Sequence, residues 1–222
     1  MKFGLIVSDP PWEMRDKLKM SKVKRGAAAQ YDVLNPKDII NLDVKSIAED
    51  EAVLALWVPS AMLEDGLLAM KNWGFSYKQT WIWVKTKIYP FSSFIKAIKQ
   101  GMSVDDFKEA IKGFDLNSIL NFNMGSLFRQ THEVCLIGVR GRVGKFRKNK
   151  AQRSVFIGPA LPKHSEKPEE LQDRLDKMFP DMGNRLEMFA RRERPGYVCV
   201  GYECPSTPQE DIRDSIDRLK NI

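Results

Sequence analysis

The sequence is poor in the residues that mark several large classes of protein. It has three cysteines, Cys135, Cys199 and Cys204. An odd number scattered through strand-like segments argues against a disulfide framework. It has two histidines, His132 and His164, and no paired Cys/His spacing of the kind zinc needs. No metal site is expected. Long hydrophobic runs are missing too. The longest, near Ala52 to Val58, is far too short to span a bilayer. The N-terminal MKFGLIVSDPPW enters a strand at once and has no small-residue cleavage site. These absences set the expectation of a cytoplasmic chain with no membrane partner. No glycine-rich GxGxxG loop follows the first strand, which by itself counts against a nucleotide cofactor. Internal repeats and low-complexity tracts are also absent.

What remains is an ordinary folding composition. The 222 residues are 43% hydrophobic and 29% charged, enough for one domain with a full core. Thirty-six Lys and Arg against 29 Asp and Glu leave a formal charge of +7, which suits a polyanionic partner.

Phe3 to Ser8 reads as a short buried strand stopped by Asp9, Pro10 and Pro11. Ala52 to Val58 is a second apolar run. Pro59 and Ser60 then open a helical pattern that Gly74 closes. Phe75 to Val84, His132 to Val139, Ser154 to Ile157, Arg185 to Phe189 and Tyr197 to Tyr202 read as further strands. Pro168 to Phe179 reads as a helix. A final amphipathic helix runs from Thr207, a candidate N-cap, to Leu219. Several strands are continuously apolar, the mark of a sheet covered on both faces. The class is α/β, with a doubly wound, mostly parallel sheet. Tyr89 to Asn121 fits poorly and reads as a helical insertion, so the expected organisation is one domain over 1–222 with an insertion at about 89–121.

The sharpest motif is Asp9-Pro10-Pro11-Trp12 at the end of the first strand. In doubly wound sheets, ligands bind beyond the carboxyl ends of the strands. The residue types suit an exocyclic amine on a planar base, whose lone pair is delocalised and poorly nucleophilic. Asp9 offers a carboxylate acceptor. The Pro10 carbonyl offers a second, held in place because Pro11 restricts its predecessor. A carboxylate also stabilises positive charge that develops on the nitrogen. Trp12 offers a flat face for an unstacked base.

The sequence resembles the DPPW-type adenine-N6 methyltransferases, among them the subunits that methylate eukaryotic messenger RNA and shorter bacterial and phage members. The resemblance covers most of the chain except 89–121. It rests on SDPPW, LALWVPS from Leu54, WIWVKTK from Trp81, HEVCLIGVRGR from His132, HSEKPEEL from His164 and RLEMFARRERPGYVCVGYE from Arg185, in the family's order. It implies a Rossmann-like methyltransferase fold with permuted motifs, the substrate motif first and much of the cofactor site last. The cofactor implied is S-adenosylmethionine.

Carried over residue by residue, Asp9, Pro10, Pro11 and Trp12 take the catalytic places. Ser8 and Asp9 border the cofactor. Lys167 is similar to the family lysine that reaches the methionine carboxylate. Glu187, Phe189 and Arg191 resemble the cluster at the cofactor's ribose and methionine ends. Glu203 fits a ribose contact, whereas Tyr202 departs from the asparagine common there, as do Arg192, Glu193 and Arg194 from the family's His and Asn. On the substrate side, Trp83 and Lys85 resemble an aromatic and basic pair beside the target base, with Trp81 as a core neighbour. Tyr31 matches a tyrosine of the loop after DPPW. His132 and Glu133 begin the strand bordering the same pocket. Two basic runs, Arg15 to Arg25 and Arg140 to Arg153, are expected around that pocket. Within the second, Arg142, Lys145 and Arg147 are the candidate phosphate contacts.

The resulting expectation is an S-adenosylmethionine-dependent DNA adenine-N6 methyltransferase. RNA methylation and a non-catalytic nucleic-acid-binding subunit are the alternatives, and a homodimer is left open. The intact DPPW argues against the non-catalytic reading. The basic runs argue against a small-molecule substrate.

Overall fold

The structure is a computed structural model and describes residues 1–13, 34–123, 125, 127–162 and 165–222. The basic run Arg15 to Arg25, Tyr31 and His164 lie outside the described residues. Seven strands form one sheet: β1 (Phe3–Ser8), β2 (Ala48–Val58), β3 (Ser76–Thr86), β4 (His132–Arg140), β5 (Val155–Pro159), β6 (Arg185–Met188) and β7 (Val198–Val200). Their order is β5-β3-β4-β2-β1-β6-β7. Parallel ladders join β1 to β2, β1 to β6, β6 to β7 and β3 to β5, whereas β4 runs antiparallel to β2.

The chain divides into two compact units. The first comprises Met1–Trp81, Val134–Ser154 and Glu169–Ile222. Its β1 is wholly buried, flanked by β2 and β6, which explains the unbroken apolar run FGLIVS. One face of this sheet presents Ile6, Leu54, Leu56, Leu136, Leu186 and Met188 to the main core. That core is closed by α1 (Pro36–Ile40), α2 (Val44–Ile47), α3 (Leu63–Asn72) and α7 (Ile212–Lys220) through residues such as Ile39, Ile47, Met70 and Ile216. The alternate residues Val53, Ile137 and Val139 face α6 (Glu170–Met178) and its Leu171 and Leu175. Helices thus lie on both faces, as the class requires.

Local rules account for the boundaries. Asn35 caps α1 by accepting from the Lys37 amide at 2.9 Å, with Pro36 in the first turn. α3 ends at Gly74, whose φ of +85° a side chain would resist. A Cβ on Gly66 in α3 would sit 2.5 Å from a Val58 methyl, so a larger residue there would force one of them to shift. The last helix corrects the expectation of a Thr207 cap. It begins four residues later, capped by Asp211 accepting from Arg213. Thr207 instead bonds the Gly201 backbone at 3.0 and 3.1 Å, a competing use of its hydroxyl.

The second unit comprises Ile82–Glu133 and Val155–Pro168. It contains the later half of β3 paired with β5 and the helices α4 (Ser92–Lys99) and α5 (Val104–Lys112). The helices expected in 89–121 are present. Neither buries a residue fully. Edge-to-face contacts of Phe94 with Phe107 and Phe114, at 5.7 and 5.1 Å between centroids, tie them to each other.

Among the described residues, no helix is long and apolar enough to cross a membrane. Nor, among the described residues, is any group of three or more His, Cys, Asp or Glu arranged to hold a metal.

Candidate active site

The register across the first unit aligns its strand ends. Ser8 pairs with Leu56 on one side and Met188 on the other, and Met188 pairs with Val200. Val58, two residues beyond Leu56, faces Val134. Asp9, Phe189 and Gly201 therefore leave the sheet along one rim, at the carboxyl ends of β1, β6 and β7.

Asp9 donates its backbone N–H to Met188 O at 3.4 Å, so its position follows from the β1–β6 ladder. A tight turn follows in which the Trp12 amide donates to Pro10 O at 2.9 Å. That bond engages one of the two lone pairs of the Pro10 carbonyl. Pro11 O accepts from Leu34 N at 2.9 Å. The role expected for Trp12 is corrected here. Its ring is 4% exposed, lies in the main core and donates Nε1–H to Trp57 O at 3.0 Å. It offers no open stacking face; it anchors the turn that carries Asp9. The hydroxyl of Ser8 is fully buried and, among the described residues, has no hydrogen-bond partner.

Phe189 stands in the left-handed region with φ of 59°, a costly conformation for a residue bearing a Cβ. Gly201 lies against it. A Cβ at position 201 would come within 2.5 Å of Ala190 O and 2.8 Å of the Phe189 carbonyl carbon. The ends of β6 and β7 thus pinch together. Beyond them, Arg191 Nε reaches Glu203 Oε2 at 3.0 Å, uniting two residues expected at the cofactor. Tyr202 is 62% exposed. Glu187, on β6, is mostly buried and its carboxyl is pushed above the usual range. Desolvation is the main cause and outweighs a hydrogen bond from Gln172 and the attraction of Arg192 and Arg194.

Arg194 explains one departure from the family pattern. It is 11% exposed and contacts Glu169 at 2.5 Å, Asp173 at 2.6 Å and Asp176 at 3.2 Å. It staples the loop after β6 onto α6, a structural task.

The second unit holds a compact charge cluster. Glu133 accepts from Lys85 through Oε1 and lies 3.2 Å from Lys167 Nζ through Oε2. Burial alone would raise the Glu133 carboxyl. The ammonium groups of Lys167 and Lys85 prevail and hold it below the usual range. Lys167 also donates to Ser165 O at 3.1 Å. Glu133 thus draws two ammonium groups together at one carboxylate. Trp83 is 1% exposed, donates to Gly158 O at 3.3 Å and lies under Lys85, 4.6 Å from ring centroid to Nζ. It supports Lys85 rather than offering a face to a base. His132 is half-buried at the start of β4.

The basic run after β4 is misplaced by the sequence expectation. Because β4 is antiparallel to β2, Arg140 pairs with Ala52, six residues back from Val58. At ~3.4 Å per residue that is about 20 Å from the rim. Lys145 is bound to Glu51 at 2.5 Å, Lys148 reaches Asp181 at 3.7 Å, and the Lys148 amide donates to Met178 O. Arg142, Lys145 and Arg147 therefore lie at the end of the sheet opposite Asp9 and do not border its turn. Sequence reading missed Gln172, a fully buried glutamine bonded to Glu187. Its position on the inner face of α6, beside Leu171 and Leu175, was the available signal.

A covered, mostly parallel sheet with an acidic turn at the end of a central strand is the Rossmann-like methyltransferase architecture. The chain belongs to the MT-A70 family, whose profile matches residues 3–112 and 110–203. It is 25% identical to the type II methyltransferase M.MunI of Mycoplasma sp, over 94% of this chain and 81% of that protein. It is 23% identical to the human N(6)-adenosine-methyltransferase catalytic subunit METTL3, over 90% of this chain. It is 29% identical to the Arabidopsis thaliana non-catalytic subunit MTB over 64% of this chain. The chain spans 28% of METTL3 and 15% of MTB.

Proposed function

We propose that this protein transfers a methyl group from S-adenosylmethionine to the N6 amine of adenine in DNA, with residues 1–222 acting as one methyltransferase domain. The observation that carries the reading is the placement of Asp9: the end of a buried central strand, on a turn pinned by the Trp12–Trp57 bond. The likeness to M.MunI over most of both chains supports DNA as the substrate.

Asp9 accepts one hydrogen of the amine. The remaining lone pair of the Pro10 carbonyl accepts the other. Two acceptors favour the pyramidal nitrogen that can attack, and the Asp9 carboxylate stabilises its developing positive charge. The methylated amine then sheds its proton readily, so a strong base is not required. Positioning supplies much of the remaining gain.

The residues present fit the cofactor. Within the second unit, Lys167, braced by Glu133, is the residue that the family resemblance assigns to the methionine carboxylate. Within the first unit, Glu187, Arg191 and Glu203 offer acceptors and charge for the amino and ribose groups, and the buried Ser8 hydroxyl beside Asp9 has no hydrogen-bond partner among the described residues. When bound, S-adenosylmethionine supplies the electrophilic methyl group.

The test is transfer from labelled S-adenosylmethionine to matched DNA and RNA, followed by nucleoside mass spectrometry. Asp9→Ala is expected to lower the rate by about 10²-fold or more while leaving the melting temperature within a few degrees. Methyladenosine from RNA alone would keep the chemistry and overturn the substrate. An Asp9→Ala protein as active as wild type would overturn the mechanism.

A further inference from the structure

A cavity lies in the first unit, away from the rim. Its volume is about 400 Å³, within the range of small-molecule sites. It sits on the α6 face of the sheet. Val53, Ile137 and Val139 form its floor, and Leu171 and Leu175 of α6 form one wall. Val53 pairs with Val139 five residues back from Val58 on β2, about 17 Å from the rim at ~3.4 Å per residue. Trp81 also lines it, with Trp57 edge-on behind it at 5.7 Å and the Arg174 guanidinium 5.8 Å above its ring.

The mouth is different in character. Lys78, Arg147, Arg153 and Arg174 all line the cavity, and no carboxylate does among the described residues. Arg174 is engaged with Glu170 at 2.7 Å and with the Arg153 carbonyl at 2.6 Å. The side chains of Lys78, Arg147 and Arg153 are exposed. An apolar, indole-lined floor below a cationic mouth demands a ligand with both parts: a flat, weakly polar body and a doubly or singly charged anion. A hydrocarbon would leave the cations unanswered, and a bare anion would leave the floor dry and unfilled.

We infer that this cavity is a nucleotide site, separate from the rim that carries Asp9, with the base in the apolar space lined by Val53, Trp81 and Leu171 and the phosphate at Arg147, Arg153 and Lys78. The run after β4, at the wrong end of the sheet for the Asp9 turn, is at the right end for this purpose. A nucleoside phosphate can come from two sources, a free nucleotide or one residue of a strand. The inference does not depend on methyl transfer.

The test measures binding of thymidine 5′-monophosphate and of a short oligothymidylate to the whole chain, with S-adenosylhomocysteine present in excess. A pyrimidine ligand avoids an adenine site. Lys78→Glu with Arg153→Glu is expected to weaken binding by about tenfold or more. A matched reversal at Lys37 and Lys71, exposed on α1 and α3, should change it less than about twofold and so controls for net charge. Saturable binding of the mononucleotide assigns the free source. Saturable binding of the oligonucleotide alone, with the same dependence, assigns the strand. The inference is overturned by no saturable binding of either, by equal losses in the two charge-reversed proteins, or by inorganic phosphate competing as well as the nucleotide. Circular dichroism of each variant guards against unfolding, and loss of methyl transfer in Asp9→Ala with nucleotide binding intact separates this site from the proposed activity.

Discussion

Two glutamates of the same chain are driven in opposite directions by their surroundings. Glu133 is half-buried between Lys85 and Lys167, and its carboxyl is held low. It contributes stability at pH values above its unfolded pKa near 4.5, and that contribution is lost as pH falls through the lower folded value. Glu133→Gln leaves both lysines without their carboxylate and is expected to cost about 2 kcal/mol at neutral pH, less than a fully buried pair because Glu133 is partly solvated. Thermal melts from pH 7 down to about 3 should show the gap between variant and wild type narrowing. Glu187 is the reverse case. Burial raises its carboxyl, so the ionised form destabilises the fold above that pKa, and the penalty disappears as pH falls below about 4.5. Glu187→Gln should therefore melt higher than wild type at pH 7. The same variant should bind S-adenosylmethionine more weakly in a titration. A stabilised protein with unchanged affinity would remove Glu187 from the cofactor site.

At the scale of elements, Gly201 decides how closely β6 and β7 can end together. Gly201→Ala drives a methyl group into the Ala190 peptide, backbone that has no flexible side chain to yield. A loss of about 2–3 kcal/mol is expected in denaturant melts, with weaker S-adenosylmethionine binding if the pinch shapes that site. Most elements could be read from sequence because their cause is local. Phe3 to Ser8 is continuously apolar and lies in the middle of the sheet. The insertion has helical spacing and forms two helices. The helix at Pro36 was missed although Asn35 and Pro36 are a capping signal. What could not be read was anything set by strand direction or by distant partners. A charge run carries no record of which end of the sheet it will occupy, and the antiparallel path of β4 sent Arg142 and Lys145 away from Asp9. The DPPW signal located the turn, yet whether the Trp12 ring faces outward or inward depends on Trp57, 45 residues away. The joining of Lys85, Glu133 and Lys167 is similarly invisible until three separate segments meet.

For the whole molecule, the excess of seven positive charges predicts affinity for nucleic acid that depends on salt. Raising salt from about 50 to 200 mM should weaken oligonucleotide binding by orders of magnitude if several phosphates are neutralised. Because Lys145 and Lys148 are already partnered by Glu51 and Asp181, replacing either by alanine should alter the slope little. A fall of about one unit in the slope for Lys145→Ala, measured by fluorescence anisotropy, would show that it leaves Glu51 to meet a phosphate.

The order of the sheet also sets a timetable. β1 is made before β6, one of its two neighbours, so Ser8 waits for Met188. At ~5–20 residues per second, roughly 10–35 s of synthesis separate them. Throughout that interval an apolar strand has one bare edge, the kind that recruits other chains. The amide of Asp9 meanwhile lacks the carbonyl that will hold it. The turn that carries Asp9 is made well before β6, so a growing chain cannot hold it by this bond until Met188 has been made.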